Sequence, residues 1–166
     1  MSLRVDRVQI AGRPAVEREV VEHPGSVVIV PETGHGTVLL VRQWRHAIGR
    51  ELLECPAGTR DVEDESPKET AQRELQEETG YGAAVINSLP GFWVAPGWCN
   101  EYMHAFVASG LSPAHLPQDD DEDVRVEEVA LSRVPALIRS GEIQDAKSIA
   151  ALLSVIVMAD NHGPGD

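Results

Sequence analysis

Apolar and polar positions fall into short runs early in the chain and change to helical spacing later. Glu19-Val20-Val21-Glu22 and Ser26-Val27-Val28-Ile29-Val30 are β-branched runs split by His23-Pro24-Gly25. Pro31-Glu32-Thr33-Gly34-His35-Gly36 reads as a turn, and Thr37-Val38-Leu39-Leu40-Val41 follows it, so a hairpin is expected. A short strand at Glu51-Leu52-Leu53-Glu54 ends at Pro56-Ala57-Gly58. Further strands are expected at 84–86, at 102–107 and at 124–129, where Val124-Arg125-Val126-Glu127-Glu128-Val129 alternates.

The helices are marked by their ends. Ser66 is a natural N-cap, Pro67 suits the first helical position, and Glu69 completes a capping box, so a helix runs over 67–79. Gly80 is placed to take the left-handed conformation that ends it. Ser132 is expected to cap a short helix ending near Gly141. A last helix is expected over 145–158, with Ile149, Leu152, Leu153 and Ile156 on one apolar stripe. Strands flank helices without regular β-α-β alternation, so the fold class is α+β, an αβα sandwich rather than a doubly wound parallel sheet.

Charge changes the picture. The formal net charge is −13 over 166 residues, which argues against a protein that coats nucleic acid or an anionic membrane. The acids are concentrated: eight lie in 61–78, and seven lie in 119–128. The two windows repel one another unless something cationic holds them together or they stay far apart. Two cysteines, Cys55 and Cys99, do not make a disulfide framework. The first residues lack an apolar core of signal-peptide length, and a cytoplasmic location is expected.

The helix over 67–79 holds the densest chemistry. At about 100° per residue, Glu74, Glu77 and Glu78 fit in an arc of about 100°. Three like charges there cost a few tenths of a kcal/mol per pair, at the end where the helix dipole also disfavours them. Arg73 can pair with Glu77 at i+4, while Ala71 and Leu75 can pack inward. A solvated acidic face and a site for hard divalent cations are both compatible with this pattern.

Gly58, six residues, Glu65, seven residues, then Arg73-Glu74-Leu75-Gln76-Glu77-Glu78-Thr79-Gly80-Tyr81 resembles the Nudix box of the Nudix hydrolases. From Glu65 onward every defined position matches. The spacing from Gly58 to Glu65 is one residue longer than the family pattern, which leaves the placement of 61–64 open. The resemblance implies a Nudix αβα sandwich and hydrolysis of a nucleoside diphosphate linked to another group, with two or three Mg²⁺ or Mn²⁺ ions. It implies Glu74, Glu77, Glu78 and the carbonyl of Ala57 as metal ligands. Arg73, Glu65, Gly58 and Pro96 would be structural support.

Four further segments resemble the ADP-ribose pyrophosphatase-like members. Ala95-Pro96-Gly97-Trp98-Cys99-Asn100-Glu101 is similar to their Pro-Gly loop ending in Glu, which implies Gly97, Trp98 and Glu101 as substrate-binding. Val41-Arg42-Gln43-Trp44-Arg45 is similar to the strand whose last Arg contacts the diphosphate, here Arg45. The acidic run 119–123 resembles a loop that supplies a carboxylate to metal or water, with Glu122 first and Asp120 second; Glu77, Glu78, Asp120 and Glu122 are the catalytic candidates. Gly141-Glu142-Ile143-Gln144-Asp145-Ala146-Lys147-Ser148 also resembles the start of their last helix. Trp44, Trp93 and Trp98 are candidates for base stacking or for core packing.

The domain organisation expected is a short N-terminal segment over 1–18, serving as a strand in dimerisation, a Nudix domain over 19–160, and a C-terminal tail over 161–166. The expected reaction turns ADP-ribose into AMP and ribose 5-phosphate in a homodimer that needs neither nucleic acid nor membrane. Other readings are action on another nucleotide sugar such as GDP-mannose, or on a dinucleoside diphosphate, and a non-catalytic nucleotide-binding domain.

Overall fold

Strand β3 (Ser26–Pro31) is buried at every position, and its two faces organise the molecule. The computed structural model describes residues 1–117 and 124–160. In chain order the remaining elements are β1 (Ser2–Val8), β2 (Val16–Glu22), β4 (Thr37–Arg45), β5 (Arg50–Glu54), β6 (Ala57–Thr59) and α1 (Pro67–Thr79). Then come β7 (Tyr81–Ser88), β8 (Phe92–Trp93), β9 (Tyr102–Pro113), β10 (Val124–Ala130), α2 (Val134–Ser140) and α3 (Ala146–Asp160).

Alternate residues of β3 face opposite ways. Val27 and Ile29 pack with Phe106 and Ala108 against Ala71 and Leu75 of α1. Val28 and Val30 pack with Met103 and Ala105 against Ala151, Leu152 and Val155 of α3. The result is the αβα arrangement expected. Within the strand layer lie a five-stranded mixed sheet, ordered β6-β3-β9-β7 with β8 also on β9, and a three-stranded antiparallel sheet, β10-β4-β5.

The expected hairpin between β3 and β4 does not form. Both edges of β3 are taken, by β9 in parallel register from Ser26 opposite Met103 to Pro31 opposite Ala108, and by β6 antiparallel. Strand β4 belongs to the other sheet, and the two arms meet at the turn through the bridge between Glu32 and Val38 and the Thr33 N–H donated to the Thr37 carbonyl at 3.0 Å. A strand buried on both faces must satisfy its backbone within its sheet. The turn at 31–36 is therefore a corner between sheets.

Helix α1 matches its expected bounds. Ser66 Oγ accepts the Glu69 N–H at 3.3 Å, and the Glu69 carboxylate accepts the Ser66 N–H at 2.9 Å. Gly80 takes φ 77°, which a side chain would oppose, and donates its N–H to the Gln76 carbonyl. The cap assigned to Ser132 is a correction. Leu131–Arg133 forms a 3-10 turn, and α2 begins at Val134 without a side-chain cap, because the residue at the cap position is Arg133, whose side chain carries no acceptor. Asp145 lies just outside α3 and accepts the Ser148 N–H at 3.0 Å.

Residues 2–8 form a full strand paired with β2. The sequence pattern does not predict β6 or β8, and β9 runs past the expected 102–107 to Pro113. Among the described residues no helix is long and apolar enough to cross a membrane.

Candidate active site and metal centre

The loop between β5 and β6 brings the backbone of Ala57 and Gly58 against α1. A Cβ built on Gly58 would lie 1.9 to 2.2 Å from the carboxylate atoms of Glu74, so only glycine allows that approach. Glu78, only 3% exposed, accepts the N–H of Ala57 at 3.2 Å from the other side. The reading of a solvated acidic face fails here: burying a carboxylate is costly, and the helix turns Glu78 inward toward the loop.

Arg73 manages the mutual repulsion. Its Nη1 lies 2.8 Å from Glu74 and 2.8 Å from Glu77, its Nε lies 3.2 Å from Glu65, and Asp61 is 3.6 Å away. Burial alone would lower the Arg73 pKa, but Glu65, Glu74 and Glu77 hold it above the ordinary value. Between Gly58 and Glu65 the chain makes a turn in which Asp64 takes φ 63°. The helix register is unaffected, so Glu65 still meets Arg73.

Arg45, Ala57, Gly58, Thr59, Asp61, Arg73, Glu74 and Glu77 line one cleft of about 220 Å³. Its polar donors suit a hard divalent cation, which prefers carboxylate and carbonyl oxygen. Among the described residues no three His, Cys, Asp or Glu side chains are drawn up as a closed ligand shell. Arg73 and the Ala57 N–H hold the glutamate oxygens instead. The donor chemistry and the Gly58 cradle fit a metal. A roomier cleft of about 380 Å³, lined by Ser66, Gln72, Ala83 and Ile86 among others, lies across α1 from this chemistry.

The remaining site candidates divide. Glu101 accepts the Ser26 hydroxyl at 2.8 Å, at the start of β3. The loop carrying Pro96 and Gly97 is bound to β2, where Val21 N–H donates to the Trp98 carbonyl at 2.8 Å. Trp98 lines a separate cleft of about 280 Å³ with Leu3, Glu19 and Val21. A Cβ at Gly97 would meet open space, so nothing steric demands glycine there. Trp44, Trp93 and Trp98 are 55%, 57% and 60% exposed, which overturns the core-packing alternative for all three. Glu122 and Asp120 lie outside the described residues.

One charged cluster was missed. Glu54, 1% exposed, accepts Arg45 Nε at 3.0 Å and also Lys147 Nζ. Lys147 pairs in addition with Asp145 at 2.9 Å. Burial would raise the Glu54 pKa, but Arg45 and Lys147 overcome it and hold the carboxyl below its ordinary value. The available signal is an acid inside the apolar run Leu52-Leu53-Glu54-Cys55.

A family model described as the NUDIX domain matches residues 22–152. An ADP-ribose pyrophosphatase of Bacillus subtilis is 38% identical over 154 residues, covering 92% of this chain and 83% of the relative. A GDP-mannose pyrophosphatase of Pectobacterium atrosepticum is 34% identical over 150 residues, covering 84% and 77%. The solved structure of an ADP compounds hydrolase superposes with a TM-score of 0.81 at 25% identity, covering 98% of this chain and 95% of the other. The glutamates of α1 folded onto the loop glycine are thus the structural form of a family signature that spans most of the sequence, and the chain belongs to the NUDIX family.

Proposed function

We propose that this protein hydrolyses the diphosphate of ADP-ribose to AMP and ribose 5-phosphate. The observation that carries the reading is the cleft in which Glu74, seated in the Gly58 cradle, meets Glu77 and the Ala57 backbone with Arg45 on the same wall. The Bacillus subtilis relative supports the choice of substrate.

The metal ligands proposed are Glu74, Glu77, Glu78 and the Ala57 carbonyl, with Glu122 from the acidic run. Two or three Mg²⁺ or Mn²⁺ ions, when bound, supply charge neutralisation and an acidified water. Arg45 directs guanidinium N–H groups at the diphosphate, a geometry that suits phosphate oxygens. Arg73, tied to Glu65, keeps Glu74 and Glu77 from spreading apart. A carboxylate of the acidic run, Glu122 or Asp120, takes the proton of the attacking water. The water oxygen bonds to one phosphorus, the bridging P–O bond breaks, and each product leaves with one phosphate.

Residues 19–160 form the proposed catalytic domain. The segment 1–18 is proposed to pair two copies, since β1 and β2 make only a two-stranded sheet with Leu3, Val5 and Val8 exposed. The proposed location is the cytoplasm, in keeping with the free, buried Cys55 and Cys99.

The GDP-mannose relative makes a second nucleotide sugar the alternative substrate. The deciding experiment incubates the protein with Mg²⁺ and, separately, ADP-ribose, GDP-mannose, NADH, diadenosine polyphosphates and dNTPs, and identifies products. AMP and ribose 5-phosphate from ADP-ribose at the highest kcat/KM is the expected result. Efficient cleavage of a dNTP with ADP-ribose untouched would reject the proposal.

A further inference from the structure

The missed cluster lies beside the cleft, and its connections run in two directions. Glu54 ends β5, three residues before Ala57. Its carboxylate spans the Arg45 guanidinium, with Nε at 3.0 Å from Oε1 and Nη2 on Oε2. That grip fixes the plane of the guanidinium, because two neighbouring nitrogens of a rigid fork are held at once. On its other side Glu54 accepts Lys147 from the first turn of α3. The first turn of α3 reaches the same loop again through Ser148, whose Oγ accepts the Cys55 N–H at 2.7 Å.

Among the described residues Glu54 and Asp145 face Arg45 and Lys147, two anions to two cations, with Glu54 almost fully buried. Such a group is expensive unless it is paired on all sides, so a mere stability role would favour apolar side chains here. Arg45 has another pull on it. It shares its cleft with Glu74 and Glu77, which already bind Arg73. A guanidinium that swung onto them would occupy the oxygens proposed for the cations.

We infer that Glu54 is a positioning residue of the hydrolysis. It holds Arg45 on the cleft wall, aimed at the diphosphate and off the metal-binding glutamates, and Lys147 anchors it to α3. The inference rests on the proposed diphosphate chemistry and adds to it a residue that never touches substrate.

The test measures ADP-ribose hydrolysis at saturating Mg²⁺ for wild type, Glu54→Gln, Arg45→Ala and the double variant, with melting temperatures for each. Glu54→Gln keeps the shape and removes the charge. KM is expected to rise roughly tenfold while kcat stays within about threefold, as for loss of a contact made equally before and during reaction. The double variant is expected to be no worse than Arg45→Ala alone, because both act through one guanidinium. Additive effects, or an unchanged KM in Glu54→Gln, would overturn the inference. Should the variants not fold, ¹⁵N-arginine NMR on wild type decides. The Arg45 Nε–H is expected to exchange slowly with solvent, and exchange as fast as that of the exposed Arg7 would overturn the inference. A wild type inert toward ADP-ribose but with a protected Arg45 Nε–H would reject the substrate assignment and leave the positioning intact.

Discussion

Replacing Gly58 with Ala separates fold from chemistry. The new methyl would stand 1.9 Å from the Glu74 carboxyl carbon and 2.1 and 2.2 Å from its oxygens. Those atoms are the free end of a flexible side chain, so the carboxylate can retreat. It must move by at least about 1 Å to end the clash and by roughly 1.5 Å to reach ordinary contact. The backbone at Gly58 is β strand and shows no positive φ, so alanine itself is tolerated. Loss of glycine's conformational freedom would even favour the fold by about 0.5 kcal/mol. A metal ligand, by contrast, must sit within about 0.2 Å of its proper distance. Displacement by several times that tolerance should weaken apparent Mg²⁺ affinity at least about tenfold and cut kcat roughly 100-fold. The assay is AMP release from ADP-ribose across a Mg²⁺ titration, beside a thermal melt. Wild-type turnover with an unchanged Mg²⁺ midpoint would refute the reasoning. So would collapse of the fold, since Glu74 would then be a packing residue.

Other outcomes follow from the same contacts. Glu78→Gln keeps the shape that accepts the Ala57 N–H, so the protein should melt near wild type while kcat falls by about 10²-fold or more, read in the same AMP assay. Ser66→Ala removes the capping box of α1 and should cost about 1 kcal/mol in urea unfolding, with activity at 25 °C unchanged. The Glu54 carboxyl lies below its ordinary value of 4.5 in the folded protein, so the stability it contributes is present above that pH and is lost as pH falls through its folded value. Urea midpoints should therefore fall less steeply below about pH 5 in Glu54→Gln than in wild type. Burial pushes the Cys55 thiol up to about 12, so a thiol reagent at about pH 8 should label it only at the rate of unfolding, followed by mass spectrometry.

The sequence by itself determined the parts whose causes lie within one or two helical turns. Ser66, Pro67, Glu69 and Gly80 delimit α1 because capping acts on the adjacent backbone. The Arg73–Glu77 pair follows from i,i+4 geometry. The box spacing placed Gly58, Glu65 and the glutamates in one family pattern, and through it the fold class and chemistry. Local signals could not say what lies opposite a strand. The run 26–30 reads alike as a hairpin arm or a central strand, and only its parallel pairing with residues 103–108 made it central and sent β4 to another sheet. Nor could the helical arc show that Glu78 turns inward while Glu77 faces the cleft, because the loop at Ala57 decides that. From the sequence Glu54 reads only as the last residue of a short strand. Burial between Arg45 on β4 and Lys147 on α3, the latter 93 residues away, turned it into the hinge of a charge network. Pairings across such distances depend on which surfaces the core brings together, and hydrophobic periodicity carries no record of that choice.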